Sequence, residues 1–356
     1  MAVPLVVLPN SAVGVVSQSQ ISIHTPTQSV DRTRTYSAVL PVPPRIQWNE
    51  NFGYCGEVSF ISAGLYYGQY LSQYDARAIA SKRARQNLPS SQLLLGVNDV
   101  YAARAMHLSA VAFNTATQTN SKSFLTWVKT NIKSGYPVAI GVFANQSRFN
   151  DSTDLNAGET EYDHIVLATG IRSTHSLKGK STYYDNDILT FNDHGLWTGT
   201  VNSRPQNVFS YSFGTFTATR QVANAPHGSV YSLRNGKDYA IAFTGIIDRS
   251  HETLPVRLST NINVETPEIV ENSSVRPAAR PMRLTIKISG LRPNVAYNLY
   301  RYSSLAAVPE SNFNAKAASA AHKWVIRVSA GSSYTTTQTI NSNEVAIYRA
   351  VPAAGP

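Results

Sequence analysis

Cys55 is the only cysteine among the 356 residues of the chain. It lies in the stretch NENFGYCGEVSF, residues 49–60, between a loop that contains glycine and a run of apolar residues. A single thiol cannot form a disulfide within the chain, so it is either a small buried side chain or a reactive group. A reactive thiol must be ionised, because a free thiol with a pKa of about 8.5 is mostly protonated at neutral pH.

The residues that follow Cys55 predict a helix that begins at this position. Apolar residues recur at spacings of three and four, which is typical of one helix face. A thiolate in the first turn would lie at the positive end of the helix dipole, close to free N–H groups that can face an oxyanion. We expect Gly53 and Gly56 to leave room for a substrate carbonyl at the sulfur. A buried cysteine that fills the start of the helix is the alternative.

A base for this thiol is available in His164, one of eight histidines. His164 heads the apolar segment DHIVLATGI, which predicts a buried strand with the imidazole at its rim. A histidine in that position can face the start of a helix and exchange a proton with a sulfur atom. A strand-end histidine with a purely structural role is the alternative.

A third side chain should hold the other nitrogen of this imidazole, and the segment DILTFNDHG offers Asn192 and Asp193. Both residues end a predicted strand that could lie beside the His164 strand. A shift of one residue in register exchanges the two faces of a strand, so either side chain could point at the ring. An ordinary turn that ends the strand is the alternative.

The elements that must position these residues predict an α+β fold with helices first and an antiparallel sheet second. Residues 1–40 form an arm or pro-segment, residues 41–252 the α+β domain, and residues 253–356 a β-sandwich. The predicted helices are the segment from Cys55, DARAIASKRAR, LLLGVNDVYAARAMHL, and SKSFLTWVKTNIKSG with Gly135 as its C-cap. The predicted sheet strands are YPVAIGVF, DHIVLATGI, DILTFND and DYAIAFTGII. The predicted sandwich strands are VRLSTNINVE, RLTIKISGL, AYNLYRYS, HKWVIRVS and EVAIYRAV.

Four segments, in order, resemble the papain-like cysteine peptidases, in particular the compact branch of double-glycine leader peptidases. They are GYCGEVSFISAGLYYG, IKSGYPVAIGVF, DHIVLATGI and ILTFNDHG, within residues 45–201. The family places an oxyanion-hole glutamine six residues before the cysteine. This chain has Asn49 there and Gln47 two residues further upstream, so both are candidates, and Gln47 is preferred although it reaches the site only if the loop bulges. The segment RSTHSLKGKSTYYD is expected to be an inserted hairpin near the cleft.

The resemblance implies a cysteine peptidase or amidase that acts on a peptide or protein substrate without a cofactor. Cys55 would attack the carbonyl carbon, His164 would take and return the proton, and Asn192 or Asp193 would orient His164. The resulting thioester could pass to water or to an amine. The alternative function is an inactive scaffold that serves in binding, adhesion or structure.

The C-terminal segment ISGLRPNVAYNLYRYSS resembles a fibronectin type III domain with a corner tyrosine at Tyr297. Such a domain could position the catalytic part, or it could bind a glycan or a protein. Core and turn chemistry alone is the alternative for these residues.

Composition and motifs argue against several other classes of protein. The net charge is +10, but the basic residues are scattered, and the densest cluster, SKRAR, is expected to be a solvated helix face rather than a nucleic-acid site. The longest apolar run near the N-terminus, VPLVVL, is too short to span a membrane. Nucleotide-binding motifs and the GxSxG motif are absent. The chain has three N-glycosylation acceptors, Asn145, Asn150 and Asn272, which weakly favour an extracellular location. The N-terminus lacks the basic n-region of a signal peptide, so the compartment stays open.

A metal site is the remaining alternative. Hard or borderline ligands are available, but their spacing matches neither a zinc motif nor an EF-hand loop, so no metal is expected. These residues are Asp163, His164, Asp185, Asp187, Asp193 and His194.

Overall fold

The computed structural model of the chain describes residues 34–115, 120–196, 207–236, 238–262 and 272–353. The predicted arm, residues 1–40, lies outside the described residues except for the part from Arg34 onward. That part contains a strand at Tyr36–Val39, which pairs with the strand that begins at His164.

The described chain combines short helices with longer strands. The helices are α1 (Cys55–Tyr66), α2 (Gln73–Ala80), α3 (Asp99–Ala105), α4 (Ser121–Lys133), α5 (Gln146–Phe149), α6 (Phe213–Phe216) and α7 (Arg220–Ala223), with 3₁₀ turns at Pro89–Ser91, Leu305–Ala307 and Ala317–Ser319. The first ten strands are β1 (Tyr36–Val39), β2 (Gln69–Tyr70), β3 (Leu108–Ala112), β4 (Val138–Ala144), β5 (His164–Ser173), β6 (Ile188–Asn192), β7 (Val208–Ser212), β8 (Thr217–Ala218), β9 (Tyr231–Arg234) and β10 (Ala240–Ile246). The remaining strands are β11 (Val256–Thr260), β12 (Pro281–Ser289), β13 (Ala296–Tyr302), β14 (His322–Arg327), β15 (Ser333–Asn341) and β16 (Ala346–Pro352).

Within the described residues, the strands form three sheets. The largest has β3, β10, β4, β5, β6 and β7 side by side in that order, with β1 paired to β5, β9 to β4 and β8 to β9. The second has the order β11-β12-β15, and the third the order β14-β13-β16-β2. Only the short β8–β9 pair is parallel among the described strand pairs. The chain is therefore of mixed α and β type with antiparallel sheets, as predicted for the α+β class.

α1 is buried along its whole length except for its first residue, which is half-buried. A helix that is buried on all sides must be covered on all sides, and the polar side chains Glu57, Ser59 and Ser62 are buried with the apolar ones. Its side chains Phe60 and Leu65 share one hydrophobic core with Ile165 and Leu167 of β5 and with Leu284 of β12. The helix that begins at Cys55 is thus held between the large sheet and the C-terminal strands.

The predicted domain limit near residue 252 falls between β10 and β11. It stays a prediction, because the described residues on its two sides share the core around α1. β2 also pairs with β16, and Arg349 Nη2 donates to Gln69 Oε1 at 2.9 Å across this pairing.

Two of the predicted helices are shorter in the structure. DARAIASKRAR was expected to be one helix, but α2 ends at Ala80, and Lys82 and Arg83 have φ angles of 54° and 69°, which an α-helix does not contain. The prediction that SKRAR is a helix face is therefore wrong, although Lys82, Arg83 and Arg85 are exposed. The segment LLLGVNDVYAARAMHL likewise contains only α3 and the start of β3.

The predicted end of the helix SKSFLTWVKTNIKSG is correct to within one residue. α4 ends at Lys133 with Ser134 as its C-cap, and Gly135, which was predicted to be the cap, follows in the left-handed conformation with a φ of 89°. None of the helices in the described ranges is long and apolar enough to cross a membrane.

The segment between β5 and β6 differs from its predicted role. Residues 174–187 contain no strand, so they are not a hairpin. They follow Ser173, nine residues along β5 from His164, which corresponds to about 30 Å of extended chain. They also contact α4, where Lys129 Nζ donates to the carbonyl of Thr182 at 2.9 Å. The expectation that this insertion lies near the cleft is wrong, because the length of β5 separates the two.

Candidate active site

The chain enters Cys55 through a left-handed turn. Asn51, Phe52 and Gly53 have φ angles of 54°, 68° and 77°. Glycine adopts this region without strain and asparagine tolerates it, so it is above all Phe52 that tertiary contacts must hold in it. α1 then begins at Cys55, and the N-cap Tyr54 provides no capping side chain.

Arg77 of α2 holds this turn. Its fully buried guanidinium donates from Nη1 to the carbonyl of Asn51 at 2.8 Å and from Nη2 to the carbonyl of Gly53. Nε donates to Glu57 Oε1 at 2.6 Å, and the guanidinium lies 3.5 Å from the centre of the Tyr54 ring. The guanidinium of Arg77 therefore binds residues on both sides of Cys55.

The two glycines beside Cys55 have roles other than the one expected. A Cβ atom at Gly56 would lie 2.0 Å from the backbone oxygen of Leu93, so this glycine permits a close approach of the chain. The expectation that Gly56 leaves room for a substrate is wrong, because Leu93 occupies that space. Gly53 is required by its positive φ, and a Cβ atom there would be 3.5 Å from Gln47 Oε1.

His164 and Asp193 form a buried pair. His164 Nε2 donates to Asp193 Oδ1 at 2.8 Å, and the two side chains are 2% and 0% exposed. Burial alone lowers the pKa of His164, but the hydrogen bonds and charges of Asp193 and Cys55 outweigh it and raise the pKa to about 10. Burial raises the pKa of Asp193, but the contact with His164 lowers it overall. An imidazolium beside a carboxylate is therefore the favoured state at neutral pH.

The His164 ring interacts with Cys55 as well as with Asp193. Since Nε2 is bonded to Asp193, Nδ1 is the nitrogen available to the sulfur, and the hydrogen bonding and charge of Cys55 both raise the pKa of His164.

Asn192 and Asp193 point in opposite directions, as neighbouring residues of a strand do. Asn192 Nδ2 donates to the carbonyl of Val42 at 3.2 Å, away from the imidazole. The structure thus brings Asp193, and not Asn192, to His164.

Gln47 and Asn49 also differ. Gln47 is buried, and its Oε1 accepts a hydrogen bond of 3.3 Å from the backbone N–H of Tyr54, the residue before Cys55. Asn49 is exposed. The left-handed turn is the bulge that lets Gln47 reach the start of α1 from eight residues upstream.

Two neighbours of the site were not selected from the sequence. The ring of Tyr231 stacks on His164 with a centroid distance of 5.6 Å, and Ser59 Oγ lies 2.6 Å from Nε2 of His194. Ser59 could have been found, because a residue four positions after Cys55 lies on the same helix face. Tyr231 comes from a strand 67 positions after His164, and no local pattern marks it.

A cavity of about 240 Å³ is lined in part by Tyr162, which comes two residues before His164. Its lining includes Leu95, Gly141, Tyr162 and Tyr239. Burial, and to a smaller extent the charge of Cys55, raise the pKa of Tyr162.

The side chains considered as metal ligands have other partners. Asp163 pairs with Arg220 at 2.5 Å, and Asp187 pairs with Lys129 at 2.5 Å. Among the residues that the structure describes, no group of three or more His, Cys, Asp or Glu side chains is arranged to hold a metal ion.

Comparisons of the chain with protein-family models, with curated proteins and with solved structures found no match. The chemistry of the site therefore rests on the geometry of its own residues.

Proposed function

We propose that this protein is a cysteine peptidase or amidase with Cys55 as nucleophile, His164 as acid and base, and Asp193 as the residue that orients His164. The observation that carries the proposal is the buried Asp193–His164 pair, whose imidazole meets the only thiol of the chain at the start of a buried helix. A protonated imidazole beside a sulfur atom stabilises the thiolate, which is the nucleophilic form.

In this proposal the thiolate of Cys55 attacks the carbonyl carbon of an amide. The oxyanion accepts hydrogen bonds from backbone N–H groups at the start of α1 and from the side-chain amide of Gln47, whose oxygen is already bonded to Tyr54. His164 gives its proton to the leaving nitrogen, and a thioester remains. Water, deprotonated by His164, then attacks the thioester, releases the acid and restores the Cys55 thiolate beside a protonated His164. The cavity beside Tyr162 would accommodate a side chain of the substrate.

We further propose a papain-like fold for the α+β part and a fibronectin type III-like β-sandwich for the C-terminal part. The papain-like fold is supported by the order of the elements along the chain: α1 begins at Cys55, β5 begins at His164, and Asp193 follows directly after β6. The second is supported by Tyr297, whose hydroxyl accepts a hydrogen bond of 2.9 Å from the N–H of Arg292 five residues upstream, as a corner tyrosine does. A glycan or protein ligand of the C-terminal part stays a prediction.

Alkylation by iodoacetamide tests the reactivity of the thiol, and mass spectrometry reports on Cys55 alone because the chain has no other cysteine. The folded protein should react rapidly at pH 6. His164→Ala and Asp193→Ala should slow this reaction, whereas Asn192→Ala, whose side chain points to Val42, is the matched control and should change it little. A thiol that reacts only in denaturant would instead support the inactive scaffold.

Amide hydrolysis is tested with a library of peptidyl aminomethylcoumarins. Release of the fluorophore should fall by a factor of about 10² or more in His164→Ala, the usual size of an acid–base contribution. It should vanish in Cys55→Ser. Equal release by Cys55→Ser and the parent protein would refute the proposed nucleophile.

A further inference from the structure

His194, the residue after Asp193, contacts the helix that begins at Cys55. The Nε2 atom of His194 lies 2.6 Å from Ser59 Oγ, and this hydroxyl donates to the carbonyl of Cys55 at 2.9 Å. His194 and Ser59 are both 0% exposed. A buried chain of hydrogen bonds therefore runs from the strand end beside His164 to the backbone of the nucleophile.

The direction of this chain follows from the charge state of His194. Burial and the charge of the neighbouring His164 lower the pKa of His194 to about 3, although Asp193 opposes the shift, so the ring is neutral above that pH. The single hydrogen of the Ser59 hydroxyl goes to the Cys55 carbonyl, so Nε2 of His194 must supply the N–H to Ser59 Oγ. A neutral ring also adds no second positive charge beside His164, whose ring centre is 6.0 Å away.

The backbone of His194 also holds Gln47 in place. Its carbonyl accepts a hydrogen bond of 2.9 Å from the N–H of Gln47. The dipeptide Asp193–His194 thus fixes the imidazole with one side chain, the nucleophile backbone with the next, and the proposed oxyanion donor with its main chain.

We propose that His194 is a positioning residue that, through Ser59, sets the distance between the sulfur of Cys55 and the ring of His164. The inference rests on the proposed function, because it assigns a role to residues that touch neither the substrate nor the reacting atoms. Misplacing reacting groups by about 1 Å lowers rates by factors of up to about 10². Loss of the hydrogen bonds that join His194, Ser59 and Cys55 should therefore lower the reaction rate of Cys55 measurably.

The test measures the rate of Cys55 alkylation by iodoacetamide from pH 5 to pH 9 in the full chain. Ser59→Ala deletes one oxygen atom, and His194→Phe removes the ring N–H; each should slow alkylation at pH 6 by about tenfold and less at pH 9. His194→Gln should restore the rate to within about threefold of the parent, because its amide can still donate to Ser59.

Ser62→Ala is the matched control, since Ser62 is equally buried on α1 and its hydroxyl has no hydrogen-bond partner among the described residues. It should react like the parent. Folded Ser59→Ala protein that reacts at the parental rate across the pH range would overturn the inference, and this variant decides the matter if His194→Phe does not fold. A parent protein that is itself unreactive at pH 6 would instead overturn the proposed function.

Discussion

Replacing Arg77 with methionine should destabilise the fold and loosen the turn before Cys55. Methionine keeps an apolar stem of similar length but removes the guanidinium. Glu57, which is 1% exposed, would then be a buried carboxylate without its cation. Breaking a buried ion pair in this way costs about 3–5 kcal/mol.

The other contacts of Arg77 add to this loss. The carbonyls of Asn51, Gly53 and Gln86 lose a donor each, and a hydrogen bond contributes about 1 kcal/mol net. Because such losses are not additive, we expect the free energy of unfolding to fall by about 5 kcal/mol. That is a large share of the 5–15 kcal/mol that is typical of folded domains.

Urea denaturation followed by tryptophan fluorescence measures this change. The double variant Glu57→Gln/Arg77→Met should recover about 2 kcal/mol, because a neutral amide in place of Glu57 can still accept from the N–H of Leu93. Arg85→Met, at an exposed position, is the control and should change stability by no more than about 0.5 kcal/mol. A loss below about 1 kcal/mol in Arg77→Met, or a double variant no more stable than the single one, would refute the reasoning.

Two further predictions concern the oxyanion donor and the pH dependence of stability. Gln47→Ala should lower amide hydrolysis by about 10²-fold, because Gln47 reaches the start of α1. Asn49→Ala should leave hydrolysis unchanged, because Asn49 does not reach it. Equal effects of the two substitutions in the peptide-library assay would contradict this. Burial raises the pKa of Asp238 from 3.8 to about 7, so its ionisation lowers stability progressively between these two pH values. In Asp238→Asn, the new side-chain amide can still accept a hydrogen bond from the Ser121 hydroxyl. This substitution should therefore raise the free energy of unfolding at pH 8 by at most about 4 kcal/mol and have little effect at pH 4. The same gain in urea denaturation at both pH values would argue against this.

Elements that are continuous buried segments could be predicted from the sequence. α1, β4 and β5 are mostly apolar and are buried over nearly their whole length, a pattern that indicates segments inside the protein. β15 could not be predicted. Its sequence, SYTTTQTIN, exposes alternate side chains, and only Ile340 is buried, so the strand depends on pairing with β12 rather than on its own hydrophobicity.

The identity of the candidate site residues could be predicted, but their arrangement could not. The choice between Asn192 and Asp193 depends on which of the two side chains lies on the same face of the sheet as the His164 ring, and only the register of β6 against β5 decides this. The reach of Gln47 depends on a left-handed turn that includes Phe52, a residue type with no preference for that conformation. Arg77 supplies the contacts that stabilise the turn from a helix more than 20 residues further along the chain.

The pairing of β2 with β16 has a consequence for the order in which the molecule folds. Gln69, shortly after the helix that carries Cys55, finds its partner Arg349 only 280 residues later. Contacts between such distant positions form slowly, because the intervening chain must lose much of its freedom first. The helix that carries Cys55 can therefore acquire its last flanking strand only after ribosomal synthesis has passed Arg349. A nascent chain paused before that point would carry the thiol on an incompletely covered helix, so its reactivity would report on how far translation had advanced.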